Sequence, residues 1–151
     1  MLDHYSILES WLERKRNMIL PLMLALGWSE QLLAVEWHKI DLAAFRGTPT
    51  TAEKCVLVCE AKGYGHGLQN IFQQAQQYAE LFKLDHCKKI LLTDGGRMYL
   101  YERKDKDWNN QPTGYLNVNL IRTNHIAPQN TNAIDTIVAL TPSGITREVK
   151  E

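Results

Sequence analysis

A chain of 151 residues is about the length of one domain, and its 44% apolar and 23% charged residues are ordinary for a soluble globular protein. Its 17 basic and 17 acidic side chains cancel, so a basic total is excluded as the basis of nucleic-acid binding, although a local basic face is not. Three cysteines, at positions 55, 59 and 87, are too few for a disulfide framework.

In chain order, residues 5–26 predict a helix: Leu8, Trp11, Leu12, Met18, Ile19, Leu22 and Leu26 recur at steps of three and four. Pro21 predicts a kink or break near residue 20, and Gly27 a stop. The apolar stretch Met18–Gly27 is too short to span a bilayer and reads as a core helix, so no membrane is expected. No signal peptide is evident. Residues 33–37 and 40–46 predict two strands, with a turn over 47–51. Cys55-Val56-Leu57-Val58-Cys59 is a continuous apolar run, the pattern of a buried central strand reaching Ala61. On such a strand Cys55 and Cys59 would share a face about 13 Å apart, beyond disulfide reach. All three cysteines read as small buried hydrophobes, which fits a reducing cytoplasm.

Gly63, Gly65 and Gly67 then make a loop with room for close backbone approach, although their spacing matches no phosphate-binding fingerprint. Residues 68–84 predict a second helix, 89–93 a strand, 94–96 a tight turn and 98–101 its antiparallel partner. Residues 104–112 read as an exposed turn, 115–122 as an additional strand and 130–140 as a short helix; the last ten residues look frayed.

The chemistry concentrates where the central strand ends. Glu60 and Lys62 are two apart, so a carboxylate and an ammonium leave the strand on one face. Asp41 lies in the preceding strand, and pairing of the two strands would bring all three charges together. Two carboxylates offer the oxygen ligands that magnesium prefers, and a lysine beside them can orient a water. The bland alternative is a surface ion pair beside a capping aspartate, contributing under about 1 kcal/mol. Against it, two acids at the edge of a core carry a desolvation cost and repel each other unless a cation lies between them. His66 and His38 are weaker candidates for a phosphate or metal contact. Lys83, Lys88, Lys89 and Arg97, or Arg14, Lys15 and Arg16, are candidates for a basic face.

Asp41…Glu60-Ala61-Lys62 resembles the PD-(D/E)XK nuclease motif, with Ile40-Asp41 in place of Pro-Asp. Leu20-Pro21-Leu22-Met23-Leu24-Ala25-Leu26-Gly27-Trp28 is similar to the segment that opens the nuclease domain of type I restriction enzyme cleavage subunits. Gln74-Ala75-Gln76-Gln77-Tyr78 looks like the QxxxY element of that group, and Leu92-Thr93-Asp94-Gly95 like its next turn. The four elements occur in the family's order over roughly residues 13–103. The resemblance implies a restriction-endonuclease-like α/β fold, with a mixed sheet of about four to five strands flanked by helices. It implies catalytic roles for Asp41, Glu60 and Lys62, and metal ligation by Asp41, Glu60 and the backbone carbonyl of Ala61. Supporting roles fall to Gln74, Tyr78 and an acid of the first helix, Glu13 or, one turn earlier, Glu9.

The expectation is therefore a single domain, with its core at about 5–103 and an extension at 104–151. Its activity would be magnesium-dependent hydrolysis of DNA, with manganese as substitute, in a cytoplasmic restriction or phage-defence setting in a prokaryote. Further subunits or domains would supply sequence specificity, and a homodimer would provide two sites for double-strand cutting. The competing expectation is a catalytically silent nuclease fold that binds DNA or serves assembly; a third is a small enzyme acting on nucleotides or RNA.

Overall fold

The computed structural model describes residues 19–61, 68–93, 97–117, 132–147 and 149. Within them lie seven strands in one sheet: β1 (Leu33–Trp37), β2 (Ile40–Phe45), β3 (Cys55–Ala61), β4 (Lys89–Thr93), β5 (Arg97–Lys104), β6 (Asp107–Trp108) and β7 (Gly114–Asn117). The order is β1-β2-β3-β4-β5-β6, with β7 also on β5. The expected strand count is exceeded because the extension adds β6 and β7. The described helices are α1 (residues 19–25), α2 (Leu68–Leu81) and α3 (Ala133–Leu140).

β1, β2 and β3 form an antiparallel meander; α2 then crosses over so that β4 returns parallel to β3. A parallel neighbour requires such a crossover. β5 pairs antiparallel with β4. The result is a mixed, mostly antiparallel sheet with helices on both faces. β3 is buried at all seven positions, which is why its sequence shows no polar alternation. Phe72 and Ala75 of α2 cover Ala43, Val58, Ile90 and Tyr101, with the Phe72 and Tyr101 rings stacked at 3.8 Å. Met23 of α1 and Leu140 of α3 cover Leu42, Leu57, Leu91 and Leu100 on the opposite face.

The breaks in the pattern have local causes. α1 ends at Gly27, whose φ of +102° suits a residue without Cβ. The Gly27 and Trp28 amides donate back to Leu24 and Met23, closing the helix as a Schellman motif. Pro21 sits within the helical residues 19–25; whether it breaks a longer helix falls outside the described residues. A register shift at Ala44/Phe45 sends Cys55 to the α2 face and leaves Cys59 on the other. The two cysteines therefore do not share a face, because the bulge adds one residue to the alternation.

The described residues of the C-terminal part, 132–147 and 149, are packed rather than frayed. Lys89, 2% exposed, donates from Nζ to the carbonyls of Ala139 (3.0 Å), Gly144 (3.2 Å) and Arg147. Its cross-strand partner Glu102 lies 3.7 Å away and accepts from the Val149 amide and the Thr113 hydroxyl. Trp28 Nε1 donates to the Leu140 carbonyl at 2.7 Å. The end of α3 thus receives an ammonium and an indole N–H for carbonyls that have no intrahelical partner. At Gly114 an added Cβ would stand 2.5 Å from Thr136 Oγ1, so β7 and α3 approach as closely as they do only with glycine there. No described helix is long and apolar enough to cross a membrane.

Replacing Lys89 with Ala strands the Glu102 carboxylate in the core and should cost about 3–5 kcal/mol of unfolding free energy. Urea denaturation followed by tryptophan fluorescence measures it.

Candidate functional site

The antiparallel register of β2 and β3 ends with Leu42 opposite Cys59; continued by one step it would bring Asp41 opposite Glu60. Opposed residues of antiparallel strands project to the same side with Cβ atoms about 4.5–5.5 Å apart. Glu60 follows Val58 in alternation toward the α2 face, whereas Ile40 and Ala43 both pack there, so alternation breaks across Asp41. Asp41 is 7% exposed and Glu60 2%. The Asp41 carboxylate accepts the Ala61 backbone N–H through Oδ2 at 2.8 Å, taking the place of a backbone acceptor where the ladder ends. Asp41 is the second residue of β2 and Glu60 the penultimate residue of β3, so both lie at one end of these interior strands.

Cys59, next to Glu60 in sequence and packed on the face opposite α2, reports the local field. Burial pushes its thiol well up, and the nearby Glu60, Cys87 and Asp41 add to the rise. Such a thiol is inert, in keeping with the expected role of a small buried hydrophobe. Cys55 and Cys87, also wholly buried, donate to the carbonyls of Leu57 and Lys89, and the neighbouring Cys87 thiol together with burial pushes the Cys55 thiol far up.

On the other side of Asp41, β1 carries Glu36 in the left-handed region, with φ of +58°. It falls between the register pairs Val35–Leu42 and Trp37–Ile40, and it is exposed. Among the described residues, no group of three or more His, Cys, Asp or Glu side chains is placed to hold a metal ion. Among the described residues, the buried acids at this end of β2 and β3 are Asp41 and Glu60. As a donor set, a pair of carboxylates fits a hard divalent cation that keeps several of its waters.

Lys62, Glu9 and Glu13 lie outside the described residues, as do His66, the glycine loop and the Arg14–Arg16 cluster. Gln74 and Tyr78 do face the same way: the Gln74 amide donates to the Tyr78 hydroxyl at 3.0 Å. Gln74 is exposed, so its amide needs no buried partners. His38 is exposed and lies flat on Phe82, at 4.6 Å between ring centroids, with Trp37 edge-on. Its role there is aromatic packing.

The expected basic face is divided. β4 runs parallel to β3, so Lys88 and Lys89 at its start lie at the end of the sheet opposite Glu60. Lys89 is buried and cannot serve a basic surface; Lys88 donates to the Asp105 carbonyl at 2.8 Å. Of these candidates Arg97 is at the acidic end, beside Thr93 of β4 and half-buried. Sequence reasoning missed Tyr99 and Tyr115, which lie in the same transverse row as Glu60. The available signal was alternation in Arg97-Met98-Tyr99-Leu100.

Comparison of the chain with protein families, with curated proteins and with solved structures finds no match.

Asp41→Ala removes the acceptor of the buried Ala61 amide and should cost about 1–3 kcal/mol, whereas Asp41→Asn, which keeps an oxygen, should cost less. Urea denaturation in EDTA separates the two. The three thiols should resist a charged aromatic disulfide reagent in the native protein and all react in guanidinium, as absorbance of the released thiolate would record.

Proposed function

We propose that the chain is a magnesium-dependent DNA endonuclease of restriction-endonuclease-like fold, acting in a restriction or phage-defence system. The observation that carries this reading is two buried carboxylates near the ends of neighbouring strands, Asp41 in β2 and Glu60 in β3, with Asp41 accepting the Ala61 amide next to Glu60. Further support comes from the order of elements: a meander ending in the acidic strand, a crossover helix and a parallel return.

Asp41 and Glu60 would hold magnesium, or manganese in its place, with the Ala61 carbonyl as a third oxygen. When bound, the ion supplies a Lewis acid and a water of lowered pKa. The chain's own residues supply the rest. The Ala61 N–H fixes one Asp41 oxygen and so orients the carboxylate. The α2 face keeps bulk water from the inner side of both acids. Lys62, two residues beyond Glu60, would orient the attacking water or stabilise charge gathering on the phosphate. Gln74 and Tyr78 would contact DNA or hold the site from the helix above.

A second reading, a nuclease fold without catalysis that binds DNA or assembles with other subunits, draws on the absence of a third acidic ligand among the described residues. A plasmid-nicking assay decides between them. The wild type should nick supercoiled DNA with magnesium and not with EDTA. Asp41→Asn and Lys62→Ala should each lower the rate by roughly 10²–10³-fold while keeping a cooperative unfolding transition. Undiminished nicking by Lys62→Ala would end the nuclease assignment.

A further inference from the structure

A second pair of reactive groups lies in the core, at the end of β3 opposite Glu60. Leu57 of β3 and Lys89 of β4 are register partners in the parallel pairing. Two residues before each stands a cysteine, Cys55 and Cys87, and both thiols are fully buried in the cluster beneath α2. Each turns along its own segment in the same way. Cys55 Sγ donates to the Leu57 carbonyl at 3.7 Å, and Cys87 Sγ to the Lys89 carbonyl at 3.3 Å. Neighbouring strands run about 4.7–4.9 Å apart, inside the ~4.4–6.8 Å between Cα atoms that a disulfide spans. The two thiols are side-chain neighbours.

The pair is also asymmetric. The Cys55 thiol beside it holds Cys87 below the usual thiol range against the upward push of burial, helped by the Lys89 amide, the Arg103 guanidinium and the Val58 amide. Arg103 is fixed there by donating from Nε to the Cys87 carbonyl at 2.8 Å and from Nη2 to the Leu84 carbonyl at 2.6 Å. Cys55 itself is pushed far up. One sulfur thus carries charge more readily and the other keeps its proton, a division that thiol oxidation uses, because the thiolate is the nucleophile. Cys59 packs on the opposite face, outside this pair.

We propose that Cys55 and Cys87 form an oxidation site that hydrogen peroxide closes to a disulfide. The Cys87 sulfur attacks one peroxide oxygen and the O–O bond breaks. A sulfenic acid forms on Cys87, and the second oxygen leaves as water with the proton of the Cys87 thiol. The Cys55 sulfur then attacks the Cys87 sulfur. The S–S bond forms, the S–O bond breaks, and the hydroxyl leaves as water with the Cys55 proton. The two sulfurs are oxidised and the peroxide is reduced. A neutral oxidant little larger than water suits a buried pair that excludes a charged aromatic reagent. The bond would tie the start of β3 to the segment before β4 and close the loop that carries α2. The proposal does not depend on the nuclease reading.

The native protein is treated with hydrogen peroxide and read by intact mass and by non-reducing peptide mapping. The wild type should lose two hydrogens, and the mapped link should join Cys55 to Cys87. Thiols titrated in guanidinium should fall from three to one, and dithiothreitol should restore them. Cys59→Ala should lose the same two hydrogens, whereas Cys55→Ala should lose none. Circular dichroism checks that Cys55→Ala is folded; if it is not, the link mapped in the wild type decides. A link that includes Cys59 overturns the proposal, as do disulfide-linked dimers, oxygen adducts without a disulfide, or an unchanged mass. So does a loss of two hydrogens that survives in folded Cys55→Ala.

Discussion

A strand buried on both faces sets the terms for everything around it. β3 is covered by α2 on one side and by α1 and α3 on the other, with β2 and β4 as its neighbours. Charge can be accommodated on it only near an end, where the ladder gives way. Glu60 occupies that position, and the neighbouring strand supplies Asp41 at the same level. The strand ends and the two acids are thus one feature: the order β1-β2-β3-β4 puts the start of β2 beside the end of β3.

The molecule buries charge at two ends of the sheet, by opposite means. At the far end Lys89 meets Glu102 and three carbonyls, and Glu102 in turn accepts from a backbone amide and a hydroxyl. A cation and an anion with their hydrogen bonds filled need nothing from outside. At the near end Asp41 and Glu60 are both buried carboxylates, and Asp41 accepts a backbone N–H from Ala61.

Much of the fold could be read from residue order. Period-two and continuous apolar runs located β1 to β5, and the three- and four-step stripe located α2, because both patterns follow from backbone geometry and burial alone. The extension was read less well. Asp107 and Trp108 pair with β5 although the local sequence is that of an exposed turn. The residues after α3 seemed frayed because their anchor is Lys89, some fifty positions upstream. Lys89 itself was misassigned to the surface, since nothing next to it in sequence announces the carbonyls that receive its ammonium. The bulge at Ala44/Phe45 likewise reversed the expected face of Cys55, a one-residue effect that alternation cannot foresee.

By itself the sequence determined that Asp41 and Glu60 are acids in apolar strands, and that two strands, a helix and a further strand follow in the order the sheet requires. Whether they meet was decided only by the pairing of β2 with β3, since register is a contact between segments and no single segment carries it. The row from Glu60 through Leu92 and Tyr99 to Tyr115 is the extreme case, its members brought into line because four strands stack their registers across one sheet.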